Sequence, residues 1–279
     1  MHIGLCIFST EYAIRIDELA REAEARGFES LWIPEHTHIP TSRRSPFPGG
    51  ELPEQYKHTL DPFVALTAAA AATKRLRVGT GICLIIERDT ITTAKSVASL
   101  DLLSNGRFEL GIGGGWNAEE MEHHGAEFKT RFKRLEEQVR ALKAIWTKDV
   151  AEFHGTYVNF DPIWAWPKPV QKPHPPIVLG GESSYTLQRV VDLCDGWFPR
   201  GRAPEKVLAG LKELRDRAAR AGRDMKTISV STFAAPPDRA VLDQFAAAGV
   251  TRSLILLPPE PRDKVLPLLD QHAKLIAKK

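Results

Sequence analysis

Eight short apolar runs, each followed by a stretch with helical periodicity, limit this chain to very few folds. The runs are His2–Phe8, Ser30–Ile33, Leu76–Ile86, Phe108–Ile112, Ile177–Leu179, Gly196–Phe198, Ile228–Ser231 and Ser253–Leu257. The helical stretches are Ile14–Arg26, Asp61–Thr73, Thr90–Leu103, Ala118–Trp146, Ser184–Leu193, Pro204–Ala221, Arg239–Ala248 and Arg262–Ala277. In the first of these, Ile14, Leu19, Ala20 and Ala23 share one stripe, with Arg15, Glu18, Glu22 and Arg26 outside it. Strand followed by helix, repeated, requires crossover connections and therefore parallel strands. Ile82–Ile86 and Leu254–Leu257 are continuous apolar runs, as expected of strands buried on both faces. Eight such units in 279 residues predict an α/β fold, a closed (β/α)8 TIM barrel forming one domain over residues 1–279. An open doubly wound sheet is the alternative.

Two segments interrupt the repeat. His36–Leu60 is rich in Pro, Gly, Ser and Arg and has no period. Val150–Pro176 holds a hairpin-like piece, Ala151–Phe160, turning near His154-Gly155, and then a Pro-rich passage. Long insertions of this kind are lids, binding loops or plain connectors. If both fold over the barrel mouth they enclose a substrate pocket, whose rim Trp164 and Trp166 would shape. The formal net charge of +3 is too small for a nucleic-acid surface. Three scattered cysteines, Cys6, Cys83 and Cys194, make neither a disulfide framework nor a zinc ribbon. There is no apolar run of membrane-spanning length and no secretory leader pattern at residues 1–10. The expectation is a cytoplasmic protein acting on a small molecule, without nucleic-acid or membrane partners.

In a parallel barrel the chemistry sits at the carboxyl ends of the strands. Those ends carry Glu35-His36, Thr80-Gly81-Ile82, Gly113-Gly114-Gly115-Trp116-Asn117, Gly180-Gly181-Glu182-Ser183 and Trp197-Phe198-Pro199-Arg200. Gly180-Gly181 followed by Ser183 opens a helix with bare N–H groups, which suits an anion such as phosphate. Gly113–Gly115 allow close approach to the main chain. Neither is a dinucleotide fingerprint or a P-loop. His36 beside Glu35 is the expected acid–base pair. His36-x-His38 follows the second strand with no histidine at later strand ends, so no metal is expected. His123 and His124 diverge by about 100° around a helix and read as surface or packing residues. Trp116 and Trp197 could wall a flat ring. Arg43, Arg44, Lys57 and Lys168 would suit a polar or anionic substrate if they faced it. Ser9 and Thr10 lack the G-x-S-x-G context of a hydrolase nucleophile.

The run from Arg26 to His36, RGFESLWIPEH, resembles the first helix and second strand of luciferase-like monooxygenases. So do Arg77–Ile82 (RVGTGI), Leu100–Asn117 (LDLLSNGRFELGIGGGWN), Pro175–Gly181 and Cys194–Trp197. The set covers nearly the whole chain in order and is most similar to the deazaflavin-dependent, coenzyme F-420 branch. That resemblance implies a dimer through the helices of the early units and a planar ring in the barrel mouth. It also implies a non-proline cis bond at Gly81–Ile82 supporting that ring. It places Gly180, Gly181 and Ser183 at the phosphate, and Glu35 and His36 at the redox end. Thr80, Gly81 and Ile82 would lie under the ring, with Asn117 and Gly113–Gly115 along its edge and Arg200 or Arg202 at the acidic tail. Glu35 would set the tautomer of His36 or act itself. The sugar-phosphate dehydrogenases of the branch carry a carboxylate where this chain has Gly114, and Asp-His where it has Glu35-His36, so their substrate is not carried over. An FMN-dependent monooxygenase fed by a separate reductase is the alternative, and a non-catalytic flavin binder a third reading.

Overall fold

The computed structural model describes residues 1–276. Its first half runs β1 (His2–Ile7), α1 (Ile16–Ala25), β2 (Ser30–Ile33), α2 (Pro62–Ala71), β3 (Arg77–Thr80), α3 (Thr90–Leu103) and β4 (Phe108–Ile112). Then come α4 (Ala118–His123), α5 (Arg131–Thr147) and the two short strands β5 (Val150–His154) and β6 (Asn159–Trp164). The chain closes with β7 (Ile177–Gly180), α6 (Ser184–Leu193), β8 (Gly196–Phe198), α7 (Pro204–Arg220), β9 (Ser229–Thr232), α8 (Arg239–Ala247), β10 (Arg252–Leu257) and α9 (Arg262–Ala273). Ala277, expected in the last helix, lies outside the described residues.

The strands β1-β10-β9-β8-β7-β4-β3-β2 form a closed parallel barrel, and β5-β6 pair by themselves as an antiparallel hairpin. The ring closes where β1 lies along β10, from His2 opposite Arg252 to Ile7 opposite Leu257. One apolar layer fills the space between barrel and helices, with Leu5, Leu19, Leu31, Leu66 and Phe108 fully buried. A second, smaller cluster fills the barrel itself: Cys6, Trp32, Val178, Phe198 and Leu254. Trp32 stacks on Phe198 with ring centroids 5.2 Å apart. Below Trp32, Arg252 plugs the amino end of the barrel, bonded to both Glu29 and Glu109 at 2.6–3.0 Å. A buried charge of this kind persists only when its donors are satisfied, as they are here. The carboxyl end has no such plug.

Three expectations need correction. The third strand stops at Thr80; Gly81–Ile82 is cis, and Ile85–Glu87 form a short 3₁₀ turn. The apolar run to Ile86 signalled burial, not extension, since Gln138 of α5 packs here and donates to the Ile85 carbonyl. The stretch Ala118–Trp146 is two helices, broken at Gly125, whose φ of +70° ends the first. The second insertion lies between α5 and β7, on the amino side of the barrel. There Gln171 donates to the carbonyl of Phe108, the first residue of β4, and Glu137 accepts N–H groups from Thr156, Tyr157 and Val158. Trp164, 82% exposed, and Trp166 shape no substrate mouth. Among the described residues no helix is long and apolar enough to cross a membrane.

The tight side-by-side fit of β3 and β4 yields a prediction. A Cβ on Gly111 would sit 2.0 Å from the Thr80 carbonyl oxygen, which is backbone held in the ladder. Gly111→Ala should therefore destabilise by at least the ~1–3 kcal/mol of ordinary overpacking, read as a lower urea midpoint at unchanged slope.

Candidate active site

Because β strands end on the rim and helices begin there, the first residues after each strand face one another across the open end. They surround a cavity of about 900 Å³. Its floor is Ile82 and Phe198, above the Trp32 cluster. Glu35, His36, Gly81, Ile82, Gly113, Gly114, Gly115, Gly180, Gly181 and Arg200 all border it, as expected. Thr80, Asn117 and Ser183 do not. Thr80 is fully buried, and its hydroxyl donates to the Gly111 carbonyl at 2.7 Å. Asn117 caps α4, its Oδ1 accepting from the N–H groups of Glu119 and Glu120. Ser183 caps α6 by accepting from the Thr186 N–H, and Thr186 borders the cavity instead. All three pattern positions serve helix starts or strand pairing.

The glycines carry more of the packing than of the opening. A Cβ on Gly113 would meet Ile82 at 2.5 Å, and one on Gly114 would meet the Phe132 ring at 2.7 Å. Gly115 has φ +64° and would press on Met121. This run lets the chain turn sharply from β4 into α4, and that turn delivers a residue the pattern did not single out. Glu120, fully buried, lies 2.7 Å from His36 Nδ1 and accepts the Thr37 N–H at 3.0 Å. His36 Nδ1 therefore donates, leaving Nε2 turned to the cavity edge with Trp116 Nε1 at 3.4 Å. Glu35 does not orient His36, contrary to expectation. Its carboxylate accepts from Leu84 N at 2.7 Å and pairs with Arg88, which also holds Asp61. Glu120 stands 84 residues from its partner, so only the acidic first turn of α4 hinted at it.

Glu87 is a third carboxyl near this pair. Burial, and then the charges of Glu120 and Glu35, push it up to about 9, and neither oxygen has a hydrogen-bond partner. It stays protonated at neutral pH.

The first insertion covers this side of the cavity. Phe47 and Tyr56 come from it, and their rings meet Trp116, Phe8 and His36 at centroid distances of 4.7–5.4 Å. A polar latch fastens it to α4. Glu119 accepts the Ser42 hydroxyl and the N–H groups of Arg44 and Ser45. Arg44 pairs with Glu122, and His38 and Thr37 bond to His123 and His124 at 2.7 Å. These two histidines, read from sequence as surface or packing residues, fasten the lid. The Ser42 hydroxyl draws the Glu119 carboxyl down to about 2, with burial opposing and the two N–H groups assisting.

Across the ring, the β8 side is cationic. Arg200, expected at an acidic tail, is instead clamped by Glu182 through Nε at 2.8 Å and Nη2 at 2.6 Å. Arg202 and Lys206 also border the cavity and make no ion pair among the described residues. Between them α7 begins at Pro204, with no side chain capping its free N–H groups. Trp197 is buried beneath, donating to the Gly181 carbonyl.

Residues 4–255 match the sequence profile of luciferase-like monooxygenases. The chain belongs to that family. An uncharacterised Mycobacterium tuberculosis member is 39% identical over 283 residues, covering 99% of this chain and 99% of its own. The FMNH2-dependent dimethylsulfone monooxygenase of Pseudomonas putida is 35% identical over 188 residues, 64% of this chain and 51% of that enzyme. The fold is also that of an F420-dependent secondary alcohol dehydrogenase solved with an F420-acetone adduct. It superposes with a TM-score of 0.79 at 18% identity, over 99% of this chain and 98% of that one. The closed barrel and the rim cavity are thus those of a luciferase-like oxidoreductase.

Two predictions follow from the carboxyl groups. Glu87 holds its proton up to about 9 in the fold but releases it near 4.5 when unfolded, so it costs stability increasingly as pH rises through that window. Glu87→Gln should leave stability unchanged at pH 4 and raise it by at least ~1 kcal/mol at pH 8, measured by urea unfolding. Glu119 has the opposite sign: its bonds are intact above about pH 4.5 and weaken as pH falls toward about 2. Glu119→Gln should loosen the lid at neutral pH, seen as several-fold faster proteolysis within residues 40–53. An unaltered cleavage rate would remove Glu119 from the latch.

Proposed function

We propose that this protein is an oxidoreductase transferring a hydride between the deazaflavin coenzyme F-420 and a small organic substrate. The observation that carries this reading is the buried Glu120–His36 pair, whose Nε2 is turned to the rim cavity. Removing or delivering a hydride at a carbon bearing oxygen requires a proton to leave or reach that oxygen. His36 can do this: the Glu120 carboxylate holds Nδ1–H and stabilises the imidazolium when Nε2 takes the proton.

The residues at the rim fit the carrier. Gly180, Gly181 and the open N-terminus of α7 offer N–H groups, and Arg202 and Lys206 offer unpaired positive charge, for its phosphate and acidic tail. Arg200 belongs to this set through its backbone and its pair with Glu182. Ile82, Gly113 and Phe198 form an apolar bed for a planar ring. When bound, a deazaflavin supplies a carbon that gives or accepts a hydride. The lid residues Phe47 and Tyr56 exclude water from the His36 side. The full-length match to the F420-dependent alcohol dehydrogenase fold supports the reading.

The 35% identity to an FMNH2-dependent enzyme favours a second reading, an FMN-dependent monooxygenase served by a separate reductase. A homodimer is part of either proposal. Its support is the apolar surface of the early helices, where Val64 of α2 and Leu103 of α3 are about 70% exposed.

Fluorescence titration separates the readings. The proposal expects micromolar affinity for coenzyme F-420 and none for FMN; the reverse order overturns it. Lys206→Glu should weaken that affinity by about tenfold or more, roughly the ~1.4 kcal/mol of one lost charge contact. His36→Ala should leave affinity intact and lower turnover by about 10²–10⁴-fold.

A further inference from the structure

The cavity has two chemically unlike ends. β2, which leads into His36, stands four places from β8 in the ring of eight, so the two ends face each other across the mouth. The β8 end holds the free cations. Resting on the reading above for what occupies that end, we infer that the His36 end takes an uncharged, mainly apolar molecule. That molecule presents a single hydroxyl or carbonyl oxygen to His36 Nε2, and the site rejects anions.

Walls and charges both lead to this. Around His36 stand Phe8, Phe47, Tyr56 and Trp116, all bordering the cavity. Aromatic faces of this extent reward an apolar partner, and of these four residues only Tyr56 and Trp116 carry a donor, the Trp116 N–H being given to His36 Nε2. The cations Arg88, Arg44, Lys57, Arg43 and Lys168 are paired elsewhere or do not border the cavity. Arg88 is shared by Glu35 and Asp61, Arg44 by Glu119 and Glu122, and Lys57 by Glu54. Arg43 lies over the Trp116 ring at 5.8 Å and does not border the cavity. Lys168, in the second insertion, bonds the carbonyls of Ile145 and Lys148. Against these stand the buried carboxyl groups of Glu35 and Glu120 directly behind His36, and Glu51 at the cavity lip. An anion entering here meets carboxylates already paired with Arg88 and His36, and, among the described residues, no unpaired cation on the cavity wall at this end.

A cation is disfavoured for a different reason. The carboxylates behind His36 are already taken, Glu35 by the Leu84 N–H and Arg88 and Glu120 by His36 and the Thr37 N–H, so an ammonium finds no free acceptor there. With Nδ1–H committed to Glu120, Nε2, now the acceptor of a long 3.4 Å bond from Trp116 Nε1–H, offers one contact: a lone pair for a hydroxyl that displaces this bond, or an N–H for a carbonyl when protonated. One oxygen in an otherwise apolar molecule matches that inventory. The phosphorylated and carboxylated substrates that other oxidoreductases accept do not.

Three probes of one size and different charge test the inference: benzyl alcohol, benzoate and benzylammonium. Their binding to the full-length protein is read by saturation-transfer NMR, which needs no turnover. Benzyl alcohol should bind at least about tenfold more tightly than either ion. Phe47 sits half-buried on the lid, outside the barrel core, so Phe47→Arg is expected to fold. It should raise benzoate affinity by about tenfold by adding the missing cation. Benzoate or benzylammonium binding as well as the alcohol, no saturable binding of any probe at millimolar concentration, or an unchanged benzoate affinity in F47R would each overturn it. Carrier binding is followed separately by its visible absorbance. Loss of that signal with the probe order intact sinks the oxidoreductase reading alone, and a carrier that binds beside a reversed probe order sinks this one alone.

Discussion

The pairing of β1 along β10 turns a row of strands into a ring, and the remaining architecture depends on that closure. An open sheet would spread its strand ends along a line. A closed one brings eight carboxyl ends around one opening, so residues far apart in the chain share a cavity. The amino end is sealed by the Arg252–Glu29–Glu109 network and the Trp32–Phe198 stack. The asymmetry between a plugged end and an open one is what makes the carboxyl rim a site.

Within that rim the polar chemistry is arranged by second partners rather than by the residues that border the cavity. His36 faces the opening, but Glu120 decides which nitrogen does so. Glu35 borders the cavity, yet its carboxylate is spent on the Leu84 N–H and Arg88, tying the β2 end to the turn after β3. Glu119 and Glu120 are neighbours on one helix start and face different tasks: one holds the lid, the other the histidine. A single short helix thus couples the lid over the cavity with the orientation of His36. The Gly113–Gly115 turn is what allows that helix to begin where it does, because side chains there would strike Ile82, Phe132 and Met121.

The cavity divides into an aromatic half and a cationic half. Charge is left unpaired only at Arg202 and Lys206 among the cavity's cations, beside the uncapped start of α7. Elsewhere Arg88, Arg44, Lys57 and Arg200 are held by acids, while Arg43 lies over the Trp116 ring and does not border the cavity. Under the proposed function, that distribution gives the phosphorylated carrier and the uncharged substrate different ends of one cavity.

Strand and helix order, the barrel and the rim position of His36, Gly81, Ile82, Gly113–Gly115 and Gly180-Gly181 were all legible in the residues. Period and burial are local signals, and a parallel barrel translates chain order directly into position. The chain of 279 residues, by its eight repeats, determined where the site is. Three things were not legible. Thr80, Asn117 and Ser183 look like site residues because they stand at strand ends, but whether a polar side chain faces a cavity or caps its own helix depends on one rotamer. Arg200 and Arg202 are equivalent in sequence, and only the placement of Glu182 neutralises the first. The Glu120–His36 bond joins two segments 84 residues apart, and no local pattern records which carboxylate a histidine will meet. Tertiary structure decided those partnerships because hydrogen bonds form between whatever groups packing brings within about 3 Å, and packing is a property of the whole fold.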